Sequence, residues 1–142
     1  FAAEALPTKA AVVEAVVDAL GRGDRERLAK LALSESEFRE IVWPRLPASR
    51  RAVGMPVEYL WADTSAKSRG HLAQTLARYG GRAWRVDAII PGRAPVDYGA
   101  FRVHSGSMVR LRGDDGAFVT TQVFGSLIEL GQAWKVFSYV VD

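Results

Sequence analysis

Four basic side chains lie close together in the second half of the chain, where they could form a site for an anion. They are Arg102, His104, Arg110 and Arg112, and each stands next to an apolar residue. Alternate residues of an extended strand point to the same face of a sheet. Guanidinium groups on one face would hold a carboxylate or a phosphate through paired hydrogen bonds. A solvated basic face is the simpler interpretation of the same pattern.

Whether the four side chains meet depends on the turn between their two segments. A three-residue loop at 105–107 would place Phe101 opposite Leu111, whereas a two-residue loop would place Phe101 opposite an arginine. We expect the three-residue loop, because strand register follows the face that can be buried. Like charges on neighbouring strands repel each other, so Asp87 or Glu129 could neutralise the cluster instead of a bound anion.

Acid–base chemistry would need side chains that converge on a pocket. The candidates for such a role are His71, His104, Asp87 and Tyr98. Two other carboxylates have simpler roles, since Asp63 is placed to cap a helix and Asp97 follows a proline turn. His71 precedes an apolar residue of a predicted helix, a position typical of a half-buried structural histidine.

Composition and missing motifs exclude several classes of protein. The chain has 142 residues and no cysteine, which excludes disulfides, thiolate metal sites, iron–sulfur clusters and cysteine nucleophiles. The sequence contains no glycine-rich phosphate loop, no HExxH or GxSxG motif and no cluster with metal-ligand spacing. The turn "GDDG" is too short for a calcium loop. We therefore expect no cofactor and no metal.

Size and charge limit the organisation and the partners. A chain of this length with 49% apolar residues fits one domain, residues 1–142, with a real core. No apolar run is long enough to span a membrane, and a net charge of +3 is too modest to favour nucleic-acid binding. The start "FAAEALPTKAA" favours the mature end of an exported protein, and an expression boundary explains it nearly as well.

The first part of the chain reads as helices. Thr8 is placed to cap a helix that ends at glycines, and Asp24 a short second helix. Ser34 and Glu37, in the serine- and glutamate-rich stretch "LALSESEFREIVWPRLP", have the spacing of a capping box. This stretch therefore indicates a helix boundary rather than a site. Pro44 is expected to force the preceding tryptophan out of the helical region and end that helix.

A long helix and a run of strands follow a predicted loop at 44–56. The helix is expected to run from a cap at 63–65 to the glycines at 80–81, and "VEYLW" before it reads as a strand or a helix entry. From residue 83 the apolar period changes to two, and the joints are short, as antiparallel neighbours require. The fold class is therefore α+β, with the helices packed on one curved antiparallel meander.

The last predicted hairpin is apolar on both faces. A two-residue turn at 131–132 would pair Leu127 with Val136 and Phe124 with Tyr139. A sheet that is polar on one face at one end and apolar on both faces at the other suits a partly wrapped, cone-like arrangement.

This order of elements resembles the NTF2-like superfamily, in which N-terminal helices and a long helix pack on a strongly bent meander. The ending "GQAWKVFSYVVD" is similar to the last strand typical of that group. The resemblance covers most of the chain as a pattern, and it implies a cone that encloses a pocket. Members include isomerases, dehydratases and hydrolases as well as non-catalytic ligand-binding and dimerising modules, so the fold does not select the function.

The resemblance implies three hypotheses. The first is a non-catalytic domain of an exported bacterial protein that binds a small apolar or anionic ligand, with a pocket lined by Tyr59, Trp61, His71, Tyr98, Arg102, His104 and Arg110. The second is an interaction module, for instance a homodimer, that uses an exposed sheet face bearing Phe124, Phe137 and Tyr139. The third is an isomerase or hydrolase. The lack of a converging acid–base set in the sequence favours the first hypothesis.

Overall fold

The chain folds as an α+β domain in which the helices come first and the strands second. A computed structural model describes residues 4–46 and 56–141. The loop expected at 44–56 lies largely outside these residues. Within them, no helix combines the length and the apolarity needed to cross a bilayer.

Two N-terminal helices begin where their capping residues predict. In α1 (Lys9–Arg22) the Thr8 hydroxyl accepts the Ala11 N–H at 3.1 Å, and the left-handed Gly23 ends the helix. In α2 (Arg25–Leu31) the Asp24 carboxylate accepts the Arg27 N–H at 3.0 Å. One face of α1 packs into the main core, with six buried residues, Val12, Val13, Val16, Val17, Ala19 and Leu20.

The third helical segment confirms the capping box and corrects its predicted end. The segment comprises a short helix α3 (Glu35–Glu37), a π-helical turn (Phe38–Val42) and a 3-10 turn (Trp43–Arg45). The prediction that Pro44 ends the helix is wrong, because Trp43 keeps helical angles and donates its N–H to the Phe38 carbonyl. Pro44 lies at the start of the 3-10 turn, where a missing N–H breaks no bond, and the chain becomes extended only at Leu46.

The long helix α4 (Val57–Tyr79) begins earlier than the predicted cap, so "VEYLW" is its entry. Pro56 occupies the N-cap position, and Asp63 lies within the helix, where it pairs with Lys67 at 3.0 Å. The helix ends at Gly80 as predicted, and the Gly80 N–H returns to the Leu76 carbonyl at 2.8 Å.

In the described part of the chain, seven antiparallel strands form two sheets rather than the single curved meander predicted from the sequence. The strands are β1 (Trp84–Ile90), β2 (Val96–Asp97), β3 (Arg102–Ser105), β4 (Met108–Gly113), β5 (Phe118–Thr121), β6 (Ser126–Leu130) and β7 (Ala133–Ser138). The first sheet has the order β1-β4-β5, and the second has the order β2-β3-β6-β7. The strands that carry the four basic side chains therefore belong to different sheets.

The predicted hairpin at 105–107 is not formed. Gly106 is left-handed, with φ of 77°. It does not reverse the chain, however, and β4 continues in the direction of β3. Gly92 lies against this joint, where a Cβ atom would stand 2.3 Å from the Ser105 carbonyl oxygen. Two backbone hydrogen bonds connect the sheets here, Arg93 N–H to Ser105 and Gly106 N–H to Gly125. Consequently Phe101 does not face Leu111.

The last hairpin is confirmed near its turn and differs beyond it. Leu130 faces Ala133 around the two-residue turn, and Leu127 faces Val136, as predicted. A bulge next to Leu127 then shifts the register, so that the expected pairing of Phe124 with Tyr139 does not occur. Both aromatic residues are nevertheless buried in the main core.

A buried ion pair joins the third helical segment to the last strand. The Lys135 ammonium lies 2.8 Å and 3.0 Å from the two carboxylate oxygens of Glu37, and the two residues are 4% and 8% exposed. The Ser34 N–H also donates to Glu37, at 2.8 Å. Burial raises the pKa of Glu37, but the hydrogen bonds from Lys135 and Ser34 oppose this effect and lower the pKa from 4.5 to about 2.

We predict that this pair makes the fold sensitive to acid. Because the folded-state pKa of Glu37 is depressed, its stabilisation is present above pH 4.5 and is lost as the pH falls toward about 2. The loss should amount to about 3 kcal/mol of unfolding free energy. Urea unfolding across that pH window measures the loss of unfolding free energy in the wild type. A Glu37→Gln/Lys135→Met double variant should lack the part of the pH dependence that comes from Glu37.

The single variant provides the contrast. Lys135→Met should lower the unfolding free energy at neutral pH by about 3–5 kcal/mol, because it removes the hydrogen-bonded ammonium group of Lys135 from a buried carboxylate. The double variant should recover most of that loss, since glutamine at this position can still complete the capping box. Equal stability of the single and double variants would contradict a coupled pair.

We predict opposite effects for two glycine-to-alanine substitutions. A Cβ on Gly125 would lie 1.7 Å from the Val140 carbonyl oxygen, so Gly125→Ala should destabilise by more than about 3 kcal/mol. Gly70 lies inside α4, and no atom lies within 4 Å of the position that an added methyl group would occupy, so Gly70→Ala should stabilise by about 0.5–1 kcal/mol. Thermal unfolding of both variants tests the pair, and similar shifts would contradict the close approach at Gly125.

Candidate functional site

The end of the chain holds α4 in place through two polar side chains of the helix. The Ser68 hydroxyl accepts the Tyr139 N–H at 3.0 Å, and His71 Nδ1 accepts the Val141 N–H at 3.1 Å. Because Nδ1 is the acceptor, the proton of a neutral His71 is on Nε2. Two cavities, one apolar and one polar, lie along α4 on either side of these anchors.

The apolar cavity lies between α2, α4 and β7 and has a volume of about 250 Å³. Its walls are mainly hydrophobic, and its lining residues are Ala29, Ala32, Leu33, Trp61, Thr64, Ser65, Ser68, Arg69, Leu72, Phe137 and Tyr139. The Trp61 ring packs on Phe38, with 5.4 Å between the ring centroids. This contact fixes one wall of the cavity against the third helical segment.

Polar groups of the apolar cavity differ in their availability. The Tyr139 hydroxyl donates to the Leu28 carbonyl at 2.6 Å, and burial raises the pKa of this phenol despite the opposing charge of Arg27. Tyr139 therefore remains a neutral wall. Arg69 is different, because it is exposed and forms no ion pair within the described part of the chain. A cation without a carboxylate partner thus lies beside a hydrophobic pocket.

The polar cavity lies between α4 and the strands β4 and β5, and has a volume of about 410 Å³. Its lining residues are His71, Gln74, Thr75, Arg78, Tyr79, Met108, Thr120, Thr121, Gln122 and Val141. Internal bonds occupy two of its hydroxyl groups: Tyr79 donates to Thr121 at 2.8 Å, and Thr75 donates to the His71 carbonyl at 3.0 Å. None of the lining residues within 4–46 and 56–141 is acidic.

The basic cluster predicted from the sequence is divided between the two sheets. In the second sheet, His104 Nε2 lies 2.9 Å from a Glu129 carboxylate oxygen, and its ring packs on Trp134 with 4.8 Å between centroids. Arg102 lies 3.7 Å from Asp97, whose carboxylate also accepts the N–H of the turn residue Gly99. The hydrogen bond from Gly99 gives Asp97 the role in the turn that its position in the sequence predicts.

In the first sheet, Arg110 lies 3.6 Å from Asp87 and stacks over Phe118 at 4.2 Å from the ring centroid. Asp87 and Glu129, the two carboxylates named as alternatives to a bound anion, therefore each pair with one basic residue. Arg112 lies on the same exposed face as Arg110. The four basic side chains do not converge on one site.

Two of the residues predicted to bind a ligand line the cavities along α4. Trp61 lines the apolar cavity and His71 the polar one. Tyr59 is 61% exposed on α4, and Tyr98 stacks on Phe101 at a centroid distance of 5.1 Å. The pattern of polar and apolar residues in the sequence could not reveal that polar residues of α4, above all Arg69 and Arg78, line the cavities.

The residues predicted for an exposed interface have other positions. Phe124 and Tyr139 are 0% and 3% exposed in the core, so these two side chains do not form an exposed sheet face. Phe137 is partly buried and lines the apolar cavity. The apolar surface of the last hairpin is used within the domain, because the helices cover it.

Neither a metal site nor a known relative identifies the function. Within residues 4–46 and 56–141, no group of three or more histidine, aspartate or glutamate side chains could hold a metal ion. Comparisons with protein-family models, with curated proteins and with solved structures find nothing similar to this chain. The site must therefore be judged from its own geometry.

We predict that the Ser68 anchor controls the local stability of the chain end. Ser68→Ala removes the acceptor of the Tyr139 N–H, so hydrogen exchange at that amide should become faster by about tenfold, equivalent to about 1 kcal/mol. Ser65→Ala is the matched control, because the Ser65 hydroxyl donates only within α4, to Ala62 at 3.3 Å. Equal exchange rates in the two variants would contradict the anchoring role.

Proposed function

We propose that this chain is a non-catalytic NTF2-like domain that binds a small amphiphilic carboxylate in its apolar cavity. The order of helices and antiparallel strands supports the NTF2-like part of the proposal. The carboxylate part extends the expectation of an apolar or anionic ligand, because one cavity offers both kinds of contact.

The observation that carries the proposal is the position of Arg69 beside the apolar walls. Ligand pockets are mostly hydrophobic and contain a few polar groups that orient the ligand. Trp61, Leu72 and Phe137 provide apolar surface for a hydrocarbon chain. Arg69 provides a planar cation, which matches a carboxylate. The ligand that fits this arrangement has a hydrocarbon tail in the cavity and its carboxylate at the rim.

The volume of the cavity limits the size of the ligand. At about 250 Å³, it is smaller than typical pockets for drug-sized molecules, which begin at about 300 Å³. Short and medium-chain carboxylic acids are therefore better candidates than sterols or long fatty acids. Thr64 and Ser65 also line the cavity and add hydroxyl groups to its wall.

We predict that the protein binds octanoate more tightly than octanol, because only octanoate can pair with Arg69. In Arg69→Gln, the affinity for octanoate should fall about tenfold while that for octanol stays unchanged. Titration calorimetry or ligand-observed NMR measures both affinities. Arg25→Gln is the matched control, because Arg25 is an exposed arginine on α2 that lines neither cavity along α4.

A second variant tests the location of the tail. Ala29→Phe would place a ring at the cavity wall and should weaken binding of both octanoate and octanol, since it occupies the space for the hydrocarbon chain. Octanoate binding that is unaffected by both Arg69→Gln and Ala29→Phe would overturn the proposed site. An absence of any octanoate binding would overturn the proposed ligand class.

A further inference from the structure

We propose that the polar cavity is a second binding site, which takes an oxyanion such as a phosphate or carboxylate group. It lies on the other side of the Ser68 and His71 anchors from the apolar cavity. The proposal does not depend on ligand binding in the apolar cavity, because the two cavities share no described lining residue.

The polar cavity presents an excess of hydrogen-bond donors. Arg78 presents a guanidinium group that can only donate, and it forms no ion pair within the described residues. His71 adds an Nε2–H, because its Nδ1 accepts from Val141. Thr120 adds a hydroxyl group. Since no described lining residue is acidic, these groups favour a ligand that accepts hydrogen bonds and carries negative charge.

One residue of the polar cavity carries a buried donor without a partner in the described part of the chain. Gln122 lines the cavity, and its Nε2 is buried with no hydrogen-bond partner among the described residues. Leaving such a group unpaired is unfavourable, so an unpaired buried amide in a native fold requires an explanation. A turn of this amide toward the cavity would let a bound oxygen atom complete its hydrogen bonding. This observation is independent of the charge of Arg78.

The neighbouring charged groups leave Arg78 available for a ligand. Asp115 lines an adjacent cavity together with Arg78, but its carboxylate lies 3.6 Å from Arg82. Arg82 also stacks over Trp84, 4.6 Å from the ring centroid. At the end of α4, the Trp84 indole N–H donates to the Tyr79 carbonyl at 2.8 Å, which reduces the exposed negative end of the helix dipole near the site.

The test titrates the full chain separately with inorganic phosphate and with acetate, against chloride at matched ionic strength. We expect saturable shifts in the NMR signals of the Gln122 side-chain amide and the His71 imidazole with at least one of the two oxyanions. Saturation with phosphate alone assigns a phosphorylated ligand, and saturation with acetate alone assigns a carboxylate. No saturable shift with either oxyanion would overturn the proposal.

Two variants and one control locate the binding. Arg78→Gln should weaken oxyanion binding by about tenfold or more, and Gln122→Met should weaken it without lowering the thermal stability of the free protein, because it removes the unpaired donor. Arg25→Gln should leave binding unchanged. Binding that survives Arg78→Gln, or that is lost equally in Arg25→Gln, would show non-specific ion association and overturn the site.

The two proposed sites can fail separately. Octanoate binding in the apolar cavity should be retained in Arg78→Gln, and inorganic phosphate or acetate binding should be retained in Arg69→Gln. Loss of octanoate binding in Arg78→Gln together with its retention in Arg69→Gln would indicate that the carboxylate of octanoate occupies the polar cavity, which would overturn the apolar site and support the polar one.

Discussion

The buried ion pair between Glu37 and Lys135 connects parts of the chain that lie 98 positions apart. Glu37 completes the cap of the third helical segment, and Lys135 lies in the last strand. A buried charge is tolerated only when its partner is fixed, so the pair requires this segment and this strand to adopt one relative position. That position also sets one wall of the apolar cavity, because Phe38 of the same segment supports Trp61.

The sequence predicts this structure well wherever the determining contacts are local. Thr8, Asp24 and Ser34 cap helices as expected, because a cap depends on atoms within three residues. The two-residue turn at 131–132 also fixes the start of its hairpin correctly. The interpretation of Gly106 fails for the opposite reason. A left-handed glycine is compatible both with a hairpin turn and with a strand that continues into a second sheet. Here Gly92, which is distant in sequence, packs against the joint.

The candidate site shows the same division between local and distant information. Alternation correctly indicates that Arg102 and His104 share strand β3 and that Arg110 and Arg112 share strand β4. It does not reveal that the two strands enter different sheets, where carboxylates from other segments meet the charges. The cavities along α4 depend on the docking of the helix against the chain end, through Ser68 and His71. No sequence period encodes that contact, so sequence reasoning identified Trp61 and His71 but not the adjacent arginines.

The weak burial of α4 explains how one helix can border two cavities of different chemistry. Only Thr75, Leu76 and Tyr79 are buried among its 23 residues. Leu60, Trp61 and Leu72 are only partly buried against the core, and the polar anchors at Ser68 and His71 hold the middle. A helix whose apolar side chains are mostly only partly buried leaves space beside it that a helix packed along a full apolar stripe would fill. Arg69 and Arg78 lie beside different cavities, because they are on different sides of the helix. Polar anchoring of a helix with few fully buried residues is therefore the structural feature that leaves these two cavities open beside it.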